Sequence, residues 1–170
     1  MLDTAKLTEL KRKIAENPSV VIEFAAKEHG VTCQTILEAL PDEMRKFAPG
    51  DKFIETMDDI STWGDMTTII NTDDGIFEIG GAMPKGTLGH GYFNLGGSAG
   101  LHGHLKHDRC GAVAFVEREF NNKKSAFVSF VNVDGGIMFK VFVGRDEKRE
   151  LKEDQLTKFR VLRDKLCGAS

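Results

Sequence analysis

The stretch from Cys110 to Gly144, "CGAVAFVEREFNNKKSAFVSFVNVDGGIMFKVFVG", decides the fold class. Its β-branched and aromatic runs, "CGAVAFVEREF", "SAFVSFVNV" and "GIMFKVFVG", are separated by short polar breaks, the pattern of consecutive antiparallel strands. Asp134-Gly135-Gly136 is the sharpest break, because those residues accept the positive φ of a tight turn, and a hairpin is predicted there. Upstream, "MTTIIN", "GIFEIGG", "GYFNLG" and "GLHGHL" carry the same texture, so residues 51–150 are expected to be mainly sheet.

The two ends read differently. Over residues 1–47, Leu7, Leu10 and Ile14 recur at helical spacing, and Pro18 interrupts. Val20, Val21, Phe24 and Ala25 then begin a second apolar face that Gly30 ends. "CQTILEAL" predicts a third short helix, stopped by Pro41. Near the other end, Leu156, Phe159, Leu162 and Leu166 form one stripe, predicting a helix over 152–167. The expected class is α+β: a large antiparallel sheet with N-terminal helices and a C-terminal helix, in one domain spanning 1–170.

Composition narrows the function classes. The chain has 170 residues, 41% of them hydrophobic, enough for a core without disulfides or metal staples. Lys plus Arg number 23 against 26 Asp plus Glu, a formal charge of -3, so the chain has no overall basic footprint for nucleic acid. Cys33, Cys110 and Cys167 are odd in number and far apart, which offers no disulfide framework and points to a reducing cytoplasm. No run approaches the roughly 18 apolar residues of a membrane span, and the charged N-terminus lacks a signal core.

Polar chemistry concentrates between Gly89 and His107, "GHGYFNLGGSAGLHGHLKH", which holds four of the five histidines and the only tyrosine. If this segment is strand, His90 and Tyr92 share one face, Phe93 and Leu95 the other, and His102 lies on the same face as His104. A phenol that can ionise against ferric iron, with imidazoles close by, is a plausible haem-ligand neighbourhood. The bland alternative is a packed tyrosine and solvated histidines at strand ends. His102, His104, His107 and Cys110 also raise a bare metal site, although neither CxxC nor HxxxH spacing is present. "GGSAG" lacks the Lys-Ser/Thr pair and following helix of a phosphate loop. A Cys110–His107 nucleophilic pair lacks an orienting third group. "AAKEHGVTCQTILEAL" has helix-turn-helix spacing, but its second helix offers no Lys or Arg to phosphate or guanine.

Taken in order, "PGDKF", "WGDMTTIINT", "GHGYFNLGG", "GLHGHL", "FVEREF" and "FKVFVGRDEKREL" resemble the HutX/ChuX family of intracellular haem-carrier proteins, from about Pro18 to Phe159. The resemblance implies a cytoplasmic homodimer of iron acquisition that accepts imported haem b as cargo and passes it to a haem-degrading or storage partner. It implies a split-barrel-like α+β fold related to one half of the HemS/ChuS haem-degrading proteins. It also implies Tyr92 and His104 as iron ligands, Tyr92 preferred, and His90 in a matching family position. Some members carry a histidine where this chain has Asn71, so a model needing two histidines is doubtful here. Lys85, Lys106, Arg109 and Arg145 are candidates for the haem propionates. The chain shows no flavin or nicotinamide motif, and no catalytic residues are assigned, which weighs against the alternative of a haem-degrading enzyme.

Overall fold

The computed structural model describes residues 3–97 and 100–168. Its centre is β7 (Cys110–Phe120) and β8 (Lys123–Asn132), where apolar residues run on without the alternation of a half-exposed strand. That continuity signals a sheet covered on both faces. Val113 and Phe115 on β7, with Ala126, Val128 and Phe130 on β8, enter one core; Ala114, Val116, Phe127 and Val131 enter a second on the opposite face.

Around this pair the six-stranded sheet runs β1 (Arg45–Pro49), β7, β8, β9 (Ile137–Phe142), β2 (Asp65–Thr72), β3 (Gly75–Ala82), with every pairing antiparallel. The hairpin predicted at Asp134–Gly136 joins β8 to β9, and Asn132 Oδ1 accepts from the backbone N–H of Asp134 and Gly136 at 2.9 and 3.1 Å. The sheet stays open, with β1 and β3 as its edges.

Helices α1 (Thr4–Glu16), α2 (Ile22–His29) and α3 (Cys33–Ala39) cover the second face, burying Leu10, Ile14, Ile22, Ile36 and Leu37. In a helix-turn-helix the second helix presents its residues to DNA; here the Ile36 and Leu37 side of α3 is spent on the sheet, and Gln34 bonds Glu38. On the first face, α5 (Glu153–Cys167) lays down Leu156, Phe159 and Leu162 as predicted. Gln155 fastens α5: its amide donates to the Trp63 and Asp65 carbonyls at 3.0 and 2.8 Å, and its oxygen accepts from Gly144 N at 2.7 Å.

The structure corrects several expected elements. The last α-helix of the helical part ends at Ala39, a 3-10 turn follows at Asp42–Met44, and Arg45–Pro49 is a strand paired with β7 through Phe47 and Ala114. Within the expected sheet region lies α4 (Phe53–Ile60), which buries Phe53, Thr56, Met57 and Ile60 at helical spacing. A strand not expected at all, β4 (Gly86–Gly89), pairs with β5 (Tyr92–Leu95), which in turn pairs with β6 (Gly103–Leu105). This small sheet is separate from the large one. "GLHGHL" is strand only from Gly103, and the "GGSAG" turn includes Ser98 and Ala99, outside the described residues. Among the described residues, no helix is long and apolar enough to cross a membrane.

Candidate functional site

The small sheet displays the polar cluster because its other side is anchored. Phe93 and Leu95 point from β5 into the first core, where the Phe93 ring meets Phe53 edge-on at 5.7 Å between centroids. Only a glycine fits above that ring: a Cβ on Gly86 would lie 2.2 Å from it. The β4–β5 connection is His90-Gly91, with φ of 54° and 79°, the two positive values that a two-residue type I′ turn requires.

With Phe93 and Leu95 turned inward, alternation puts Tyr92 and Asn94 on the outer face. Asn94 sits opposite His104 on β6. The Tyr92 and His104 rings meet edge-on at 5.9 Å between centroids, and His104 Nδ1 lies 2.6 Å from Asn94 Oδ1. Lys106, just past β6, places its ammonium 4.9 Å from the centre of the Tyr92 ring. Tyr92 is half-buried, and His104 and Lys106 are exposed. The cluster combines a phenol oxygen, an imidazole nitrogen and a cation on one accessible face. Phenol oxygen and imidazole nitrogen are both donors that hold haem iron.

The other predicted site residues lie elsewhere. His90 is in the β4–β5 turn, so it does not share a strand face with Tyr92. His102 precedes β6 and is exposed. His107 belongs to a short 3-10 turn, its ring 6.5 Å from that of Phe53. Cys110 is buried, and burial pushes its thiol up to about 11, so it is protonated at neutral pH and unsuited to nucleophilic attack. No three His, Cys, Asp or Glu side chains among the described residues come together to hold a bare metal ion. The electrostatic candidate Arg109 pairs with Asp134.

Arg145 lines a cavity of about 600 Å³ between the start of α2 and the sheet, and none of Tyr92, His90, His102 or His104 lines it. Its guanidinium donates to the Arg149 and Lys124 carbonyls at 3.1 and 2.8 Å. The cavity has the size of a small-molecule pocket. Phe120, Phe127 and Phe142 give it aromatic walls, and Asn71 also lines it, its Oδ1 buried without a hydrogen-bond partner.

Sequence reasoning did not single out Arg118 at this cavity, because "FVEREF" reads as strand without showing which distant groups cover it. The residue is 8% exposed; its Nη groups donate to the Pro18 and Val20 carbonyls, and its Nε is buried without a partner. Burial pushes the guanidinium down to about 10, and it remains a cation at neutral pH. Lys140, also in the lining, bridges Glu23, with its Nζ 2.7 Å from Oε1 and donating to Oε2 at 2.9 Å. Asn94 was missed as well, since its partner is set by cross-strand register.

Known proteins give independent bearings. The chain is 34% identical over 155 residues to the intracellular heme transport protein HutX of Vibrio cholerae serotype O1, covering 91% of this chain and 80% of that one. A crystal structure of an Erwinia carotovora protein matches with a TM-score of 0.89 at 41% identity, over 92% of this chain and 98% of that one. The crystal structure of ChuX matches with a TM-score of 0.86 at 36% identity, over 92% and 97%. At 13% identity, the Escherichia coli O157:H7 heme degrading enzyme ChuS shares the fold alone: a TM-score of 0.72 over 95% of this chain and 49% of that one. The expected kinship of fold to half of such a protein is thereby met. Residues 46–162 match the family described as haem utilisation ChuX/HutX, and the chain belongs to that family.

Proposed function

We propose that this chain is a cytoplasmic haem carrier that holds ferric haem b through the Tyr92 phenolate and surrenders it to a haem-degrading or storage protein. The observation that carries the proposal is the open placement of Tyr92 beside His104 and Lys106 on the outer face of the small sheet. A ligand held on such a face can be reached by an acceptor without unfolding the core. The named function of the Vibrio cholerae relative, heme transport, supports the same reading.

Free tyrosine ionises near a pKa of about 10, so iron coordination must hold its anion at neutral pH. The Lys106 ammonium stands over the Tyr92 ring, 4.9 Å from its centre, as a cation on the aromatic face. Phenolate is a hard donor that prefers ferric to ferrous iron, so reduction loosens the bond and favours release. His104 provides the second interaction, as iron ligand or as hydrogen-bond partner of the phenolate.

The proposed carrier role predicts no turnover of haem by this chain. Loading with hemin, then adding ascorbate or a reductase with NADPH in air, should preserve the porphyrin absorbance, and mixing with apomyoglobin should move it to the new protein. Loss of the Soret band with formation of a linear tetrapyrrole would establish the haem-degrading alternative instead. The proposed homodimer has a physical basis in β3, an open edge with Ile76 and Phe77 both more than half exposed. A monomeric mass by light scattering at micromolar concentration would remove the dimer from the proposal.

A further inference from the structure

We infer that Asn94 is a positioning residue that fixes the proton of neutral His104 on Nδ1 and so leaves the Nε2 lone pair free for iron, which selects the iron-ligand role over a hydrogen bond to the phenolate, since a lone pair has no proton to donate. The inference rests on the reading of Tyr92 and His104 as the place where haem iron binds, and deepens it. An imidazole can use only one nitrogen as a donor lone pair when neutral, and the bond made by the other nitrogen decides which.

The orientation of the Asn94 amide follows from its surroundings. Its Nδ2 lies 3.2 Å from the Thr87 carbonyl oxygen, 3.1 Å from that of Gly89 and 3.4 Å from that of Tyr92. All three are acceptors, so the nitrogen must face them and Oδ1 must face His104. At 2.6 Å from His104 Nδ1, that oxygen can only accept. The proton is therefore on Nδ1, and the neutral ring keeps its lone pair on Nε2.

The same register makes the arrangement rigid. Asn94 faces His104 directly across β5 and β6, while its amide spans the β4–β5 hairpin through Thr87 and Gly89. One side chain thus ties all three strands of the small sheet to the tautomer of one imidazole. Neither aspartate nor leucine reproduces it in full. Aspartate keeps an acceptor toward His104 but loses the donor to the hairpin carbonyls, and leucine loses both.

The test begins with the unaltered apoprotein, labelled with 15N-histidine and observed by long-range 1H–15N NMR at a pH where the rings are neutral. His104 should show a protonated Nδ1 and an unprotonated Nε2. In Asn94→Leu the Nε2–H tautomer should appear, and Asn94→Asp should restore the wild-type pattern. Hemin dissociation constants should rise about 10- to 100-fold in Asn94→Leu, the usual effect of removing such a support, and recover largely in Asn94→Asp.

A protonated Nε2 in wild type overturns the role of Asn94 and leaves the haem site standing. So does a loss of hemin affinity in His104→Ala that Asn94→Leu does not share. Unchanged hemin spectra and affinity in both His104→Ala and Asn94→Leu would instead show that His104 takes no part in haem binding, and the inference would fall with that reading.

Discussion

Replacing Gly86 by alanine should destabilise the protein, although the same change in an ordinary strand interior stabilises by roughly 0.5–1 kcal/mol. The reason is the Phe93 ring beneath β4: the added methyl carbon would lie 2.2 Å from Cε1 and 2.3 Å from Cζ. Ordinary carbon contact is about 3.5 Å or more, so the ring must retreat by over about 1 Å. It has little room to do so, since Phe93 is 2% exposed and Phe53, against which it packs, is itself 5.1 Å from Phe130. Overpacking of this kind costs about 1–3 kcal/mol. Urea unfolding of Gly86→Ala, Phe93→Leu and the double variant measures the coupling. The double variant should be more stable than the sum of the single effects by about 0.5–3 kcal/mol, because leucine removes the ring atoms in the way. Additive effects, or a stabilised Gly86→Ala, would refute the packing that turns Tyr92 and Asn94 outward.

Other consequences are equally concrete. Lys140→Met should destabilise by removing the close cation from the largely buried Glu23 carboxylate. The cost should stay below the roughly 3–5 kcal/mol of a buried charge left alone, because the Arg118 guanidinium also acts on Glu23, and adding Glu23→Leu should recover most of the loss in thermal unfolding. Cys110 gives a pH effect of definite sign. Its thiol rises from 9.0 to about 11 in the folded chain. Below pH 9 folded and unfolded forms both keep the proton; above it the unfolded form ionises first, so stability falls with rising pH by about 2–3 kcal/mol by pH 11. The difference between wild type and Cys110→Ala in urea titrations from pH 8 to 11 isolates that share; a pH-independent difference would contradict it.

Much of this architecture was legible because burial on both faces leaves a strong mark. The apolar runs of β7, β8 and β9 and the Asp134–Gly136 turn could be read directly from the chain, as could the stripe of α5. Tyr92 and His104 were legible as residue types, and alternation placed Phe93 and Leu95 on one shared face, which the packing against Phe53 turns inward. What escaped was set by contacts distant in sequence or by segments too short to show a period. The four residues of β4, two of them glycine, have no strand signature, and without β4 His90 reads as strand when it is turn. Arg118 passes for a surface charge until Pro18 and Val20, a hundred residues away, place their carbonyls on it. The link from Asn94 to His104 depends on the register of β5 against β6, which no local pattern specifies.

The central claim is that one phenol oxygen holds ferric haem on an open sheet face, and a hemin titration of wild type against Tyr92→Phe, followed through the Soret and charge-transfer bands, tests it most directly. The variant should lose the phenolate-to-iron charge-transfer band and at least tenfold in affinity, about 1.4 kcal/mol. An unchanged spectrum and affinity would contradict it.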